Sequence, residues 1–236
     1  MEYNPDNNDH GLPFNPFKSL IVPRPIGWIS TVDAHGNANL APYSTFNMCG
    51  YAPPMVMFAS GGHPPDFRPK DTVLNAETTG EFVCNIVSWD QREAMSKTAE
   101  VTPPGVDEFE LAGLEKEAST MVKAPRVKGA PVHMECRYIS TTRLPGHTPE
   151  NDNVVVFGQV VWIHIDDELI TAEGLVDIGR IRPVSRLGYM DYSSVPADSI
   201  FAMKKLLPES GQVPGEEGTG MAREMDIRAA QKASAE

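Results

Sequence analysis

Apolar residues recur along this chain mainly at a spacing of two, in short runs bounded by proline, glycine and small polar residues. That is the signature of β-strands. The first run, residues 25–32, sets Ile26, Trp28 and Val32 on one parity and Gly27, Ile29 and Thr31 on the other. Asp33 to Asn37 supplies turn residues, and Leu40 to Phe46 reads as the returning strand of a hairpin. Met55 to Ser60, Phe82 to Val87 and Val132 to Thr142 are further strands. Val154 to Ile165 is apolar on both parities and rich in β-branched residues, which predicts a long central strand.

Helical spacing is confined to a few places. Asp71 or Thr72 is a fitting N-cap for a short helix to about Thr79, which Gly80 ends. Ser88-Trp89-Asp90 opens a second helix over roughly 90–99, with Glu93 at capping-box distance from Asp90. Shorter helical turns are predicted at Asp107 to Leu111 and Ala172 to Val176. Residues 101–130, rich in proline, glycine and charge, read as an excursion over the surface. About seven strands without strand–helix alternation predict a mainly β protein, a small barrel with peripheral helices.

Composition agrees with this picture. The 21 prolines in 236 residues fall between apolar runs, where a sheet tolerates a residue that cannot donate to its ladder. The net charge of -12 argues against a duplex nucleic-acid partner, yet leaves room for a local basic site for one small phosphate-bearing ligand. No apolar run has the length of a membrane span, and MEYNPDNNDH lacks the basic and apolar segments of a signal peptide. The expectation is a cytoplasmic protein. Cys84 and Cys136 sit in strand-like apolar runs and read as buried, inert thiols. The six histidines show no metal-ligand spacing. From Pro208 the chain carries few large apolar residues, and MAREMDIRAAQKA is a candidate isolated amphipathic helix within a loosely held tail.

Three segments carry candidate chemistry. Residues 23–47 place Ser30, Thr31, Tyr43, Ser44, Thr45, Phe46 and Asn47 on two adjacent strand ends. Such hydroxyls and amides suit a flat heterocycle with a polar edge, or simply meet water. In residues 68–88, Lys70 precedes a helix start that favours an anion, whereas Asp71 would occupy the same N–H groups as a cap. Residues 181–195 bring together Arg182, Arg186, Tyr189 and Tyr192, a phosphate clamp or ring stack, or a solvated loop with ion pairs.

In this order and at these separations, the three segments resemble the flavin reductase-like family of FMN-binding split barrels, which includes flavoredoxins and the flavin reductase partners of two-component monooxygenases. RPIGWISTVDAHGNANLAPYSTFN is similar to that family's N-terminal signature, KDTVLNAETTGEFVCNIVS to its continuation, and RLGYMDYSSV to the close of its domain. The resemblance covers about residues 18–195. It implies a six-stranded Greek-key split barrel over residues 18–207; residues 1–17 are then an N-terminal extension, and residues 208–236, outside the resemblance, are expected to form a flexible tail. A homodimer binding FMN near the subunit interface follows from it too. Ser30, Thr31 and Tyr43 to Asn47 would line the flavin ring and its chain. Ser60, Lys70, Asp71 and Thr72 would hold the ribityl phosphate, with Arg182 and Arg186 as further candidates.

The activity so implied is an NAD(P)H:flavin reductase, hydride passing from nicotinamide C4 to flavin N5 and electrons leaving to oxygen or a partner monooxygenase. Backbone N–H donors of residues 44–47 would stabilise charge at N1–O2 of the reduced ring. Such chemistry is borne by the cofactor, and no Ser–His–Asp or carboxylate pair stands at catalytic spacing. There is no G-x-G-x-x-G fingerprint, so NAD(P)H would bind on the flavin face. An FMN-binding electron carrier, and an FMN enzyme with a dedicated organic substrate, are the alternatives. Residues 101–130 and 143–153 exceed a minimal family member and would shape the pocket mouth, His147 acting as a gate or as a plain solvated histidine.

Overall fold

The computed structural model describes residues 1–61, 69–146 and 153–203. His147 and the candidate helix of the tail therefore lie outside the described residues, as does most of the 143–153 loop. After a 3-10 turn at Pro16–Ser19 come strands β1 (Arg24–Pro25), β2 (Gly27–Val32), β3 (Ala38–Tyr43), β4 (Phe46–Tyr51) and β5 (Pro54–Gly61). Helix α1 (Asp71–Thr79) leads into β6 (Glu81–Ile86), then α2 (Arg92–Lys97), α3 (Glu108–Ala112) and the small hairpin β7 (Lys116–Glu117) and β8 (Arg126–Val127). The long antiparallel pair β9 (Val132–Leu144) and β10 (Asn153–Ile165) follows, then α4 (Ile178–Ile181), β11 (Val184–Gly188) and β12 (Asp191–Ser194).

The main sheet has the order β3-β2-β6-β9-β10-β5-β4, and a second one has the order β1-β11-β12. The strand read as one run through Phe46 is two, because the chain bends at Ser44–Thr45 and changes partner from β2 to β5. One continuous segment thus supplies both edges of the main sheet, so the sheet has to curl into a barrel. The bend is pinned where Ala59 donates its N–H to the Thr45 carbonyl at 2.8 Å and the Thr45 hydroxyl donates to the Ala59 carbonyl. Seven hydrogen-bonded strands result where the resemblance implies six, the extra one arising from this bend.

Two apolar layers explain why β2 is buried along its whole length. Ile29, facing inward, joins Phe58, Phe82, Cys84, Cys136 and Val156 in the barrel interior. Trp28, on the opposite parity, packs with Leu40, Met95, Phe109 and Val127 beneath the excursion. Phe58 and Phe82 meet edge to face at 5.5 Å, and burying each contributes about 1.5–3 kcal/mol. Gly158 makes this packing feasible, since a Cβ there would stand 2.3 Å from the Phe82 ring. Cys84 and Cys136 are free and buried, and burial pushes the Cys136 thiol well above its ordinary value. Cys49 is exposed on β4.

Local predictions differ from the structure at three helical sites. Helix α1 starts after Lys70, not after an Asp71 or Thr72 cap, because the Thr72 hydroxyl is committed to Asn39 Oδ1 at 2.7 Å. Gly80, left-handed at φ 75°, ends it as expected. The helix expected over 90–99 is a 3-10 turn at Trp89–Gln91 followed by the short α2, without an Asp90 side-chain cap. Its end is set by Thr98, which donates to the Met95 carbonyl and receives Trp28 Nε1–H at 2.8 Å. In place of a helical turn at 172–176, a tight turn around Gly174 (φ +85°) returns the chain to pair Ile170 with Val176.

Candidate functional site

The bend at Ser44–Thr45 borders a cavity of about 940 Å³. One wall is the barrel edge, with Phe46 and Asn47 of β4 and Met57 and Ala59 of β5. The other comprises Arg24 of β1, Arg186 of β11 and the β11–β12 turn residues Tyr189 and Met190, with Phe14 and Phe17 from the N-terminal segment closing over them. Gly188 holds this second wall close. At φ +136° its Cα passes so near Ser19 that a Cβ would lie 2.3 Å from the Ser19 hydroxyl. The Phe14 and Tyr189 rings pack at 5.7 Å. Because β4 is an edge strand, its N–H groups on the side away from β5 are not used by the ladder.

A second cleft of about 150 Å³ lies past β3, lined by Asn39, Tyr43, Lys70, Asp71, Thr72 and Glu108, among others, with Tyr43 directly preceding Ser44 of the large cavity. The Lys70 ammonium stands 5.8 Å from the centroid of the Tyr43 ring. Loss of solvation lowers the Lys70 pKa. The Tyr43 hydroxyl is buried beside those of Thr72 and Ser60, yet no hydrogen bond of good geometry satisfies it. Burial raises its pKa far above the ordinary phenol value, so it remains a neutral donor. Leaving such a group unpaired costs about 1–3 kcal/mol, which a bound acceptor would recover. Against an anion stand the carboxylates of Asp71, Glu100 and Glu108, which also line the cleft. The Glu108 charge is spread over Asn39 Nδ2 and Leu40 N–H, both at 2.9 Å, and the Thr102 hydroxyl at 3.1 Å.

Of the residues expected at the site, Ser44, Thr45, Phe46, Asn47 and Arg186 line the large cavity, and Tyr43, Lys70, Asp71 and Thr72 line the small one. Ser30 and Thr31 line neither, and both are fully buried. Ser30 shares the parity of Trp28, so its hydroxyl faces the excursion and donates to the Pro125 carbonyl at 2.5 Å. Thr31 acts one step back, receiving Asn75 Nδ2–H and donating to the Asn39 oxygen that also takes the Thr72 hydroxyl. Ser60 is buried and donates to the Gly61 carbonyl. Arg182 lies apart from both cavities, its guanidinium 4.9 Å from the Trp89 ring that Arg92 also covers. Sequence reasoning missed Lys18 and Arg24 and placed Phe14 and Phe17 outside the domain. The available signal was Arg24 within the VPRPIG motif itself.

Known proteins share this architecture. The family model of the flavin reductase like domain matches residues 19–185. An uncharacterized protein of Aquifex aeolicus is 40% identical over 188 residues, 80% of this chain and 92% of that protein. Nitrilotriacetate monooxygenase component B from Bacillus cereus is 29% identical with a TM-score of 0.78, over 86% of this chain and 98% of that one. Flavoredoxin of Desulfovibrio vulgaris (Miyazaki F) shares the fold at 20% identity and a TM-score of 0.66, over 90% of this chain and 100% of that one.

Proposed function

The chain belongs to the flavin reductase-like domain family, and from that premise we propose that it is an FMN-dependent oxidoreductase of the NAD(P)H:flavin reductase type. The observation that carries the reading is the large cavity beside the Ser44–Asn47 bend. It offers aromatic and thioether surface from Phe14, Phe46, Met57 and Tyr189, together with hydroxyl, amide and edge-strand backbone groups. Its volume of about 940 Å³ lies within the roughly 300–1,000 Å³ usual for small-ligand sites.

In this reading Ser44, Thr45 and Asn47 meet the polar edge of the flavin ring, and Phe46 backs it. Lys70 and Thr72, with the unpartnered Tyr43 hydroxyl, face the phosphate. The bound flavin supplies the capacity to accept a hydride and to release electrons singly or in pairs. The protein's share is binding, orientation and exclusion of water. Thr45 is held by its two bonds to Ala59 and so cannot swing out of position. The Tyr43 hydroxyl, kept protonated by burial, donates to an anion without titrating near neutral pH.

A homodimer belongs to the same reading, as does a monooxygenase partner receiving reduced flavin, the latter supported by the likeness to a monooxygenase component B. Titrating FMN into the purified protein tests it: stoichiometric quenching of flavin fluorescence is expected. A protein that neither retains nor binds FMN contradicts the reading.

A further inference from the structure

The large cavity is a basic site in an acidic protein. Among the described residues Lys18, Arg24 and Arg186 line it and no Asp or Glu does, although the chain carries -12 overall. Arg24 and Arg186 are direct partners across the β1–β11 ladder, a placement of like charges that is unfavourable without a counter-charge. Their hydrogen bonds supply none. Arg24 donates to the carbonyls of Lys18 and Ile21, both at 2.8 Å. Arg186 donates to the Tyr192 hydroxyl and the Tyr189 carbonyl, and stacks on the Tyr192 ring at 4.4 Å. Every one of these acceptors is neutral. They fix the two guanidiniums in place, leave both charges uncompensated and keep N–H donors free. Lys18 has no ion-pair partner among the described residues.

Three fixed or tethered cations beside aromatic walls call for a ligand with a planar ring and more than one negative charge. Resting on the reductase reading above, we propose that Lys18, Arg24 and Arg186 form the subsite for the pyrophosphate of the nicotinamide dinucleotide. Arginine forks match phosphate oxygens two at a time, and Lys18 adds a mobile point charge. A chain without the Rossmann glycine fingerprint needs such a substitute, since it has no glycine-rich helix start to receive the pyrophosphate. The subsite would hold the dinucleotide while its nicotinamide ring lies between the flavin and the Phe14 and Tyr189 wall.

Calorimetric titration of ADP-ribose, which carries the pyrophosphate without nicotinamide, into the full-length FMN-loaded protein tests the proposal. Arg24→Gln and Lys18→Gln are each expected to weaken ADP-ribose roughly tenfold, the scale of one charge-assisted contact. Lys18→Gln changes an exposed side chain, so it keeps the test decisive should Arg24→Gln fold poorly. FMN and riboflavin titrations of the same proteins identify the source of the anion, and their affinity ratio is expected to stay unchanged. The proposal is overturned if ADP-ribose does not bind, or if it binds all three proteins equally. It is overturned too if the substitutions weaken FMN but not riboflavin, which would make this the flavin's own phosphate site. A wild-type protein that binds no FMN contradicts the reductase reading separately, and ADP-ribose titration of the unloaded protein still decides the subsite.

Discussion

At the scale of single residues, Lys70 carries the sharpest question. Among the described residues it is the one cation lining the small cleft, where the carboxylates of Asp71, Glu100 and Glu108 also lie. If it holds the flavin phosphate, Lys70→Ala is expected to weaken FMN by about tenfold and riboflavin hardly at all. Equal loss for both ligands in paired fluorescence titrations would remove Lys70 from that role. The pH dependence has a definite sign. Only the protonated ammonium attracts phosphate, and loss of solvation lowers the Lys70 pKa, so the preference for FMN over riboflavin should fade on the alkaline side at a lower pH than an ordinary lysine would give. Tyr43 will not contribute to that titration, because burial keeps its hydroxyl protonated throughout the range. Ser30 and Thr31 show how parity decides a role. Neighbours on one strand, they are buried in different layers, Ser30 bonded to the excursion and Thr31 to the network behind Thr72.

At the scale of elements, the excursion of residues 101–130 is sewn onto the barrel by buried carboxylates. Glu81 accepts the Lys123 N–H and pairs with Arg137 at 2.7 Å. Fully buried Glu135 accepts the N–H groups of Thr120 and Met121 at 2.8 and 2.5 Å and bonds His164 Nε2 at 2.6 Å. Glu135→Ala would strand those donors and is expected to cost about 3–5 kcal/mol in urea unfolding. A loss under about 1 kcal/mol would mean that the layer is not held this way. Burial by itself raises the Glu135 pKa, but the Thr120 N–H, His164 and the Met121 N–H more than offset it, so the net shift is downward. A depressed carboxylate stabilises the fold above its unfolded pKa, and that contribution is lost as pH falls through the lowered value. Strand positions and the α1 stop at Gly80 were legible because alternation and a left-handed glycine are local signals. The bend at Ser44–Thr45 was not, since the residues on either side read as one strand until partner exchange with β2 and β5 is known. Glu81 and Glu135 were equally hidden, because a carboxylate in an apolar strand gains its partners only from residues some 14 to 56 positions away.

For the whole molecule, bulk charge and local charge point in opposite directions. An excess of acid over the chain coexists with a large cavity whose charged lining, among the described residues, is cationic. That contrast was out of reach of composition, and it arises from tertiary contact: Lys18 and Arg24 come from the start of the domain and Arg186 from its end, joined through the β1–β11 pairing. Phe14 and Phe17 of the N-terminal segment line the same cavity, Phe14 packing on Tyr189. A reductase requires flavin in this cavity, reached there by a reduced nicotinamide. Anaerobic stopped-flow mixing of the FMN-loaded protein with NADH and with NADPH shows whether that transfer occurs. Bleaching of the visible flavin absorbance by at least one of the two, saturating with its concentration, is the result expected. Bound FMN that dithionite bleaches and neither nucleotide does would contradict the reductase and leave an electron carrier.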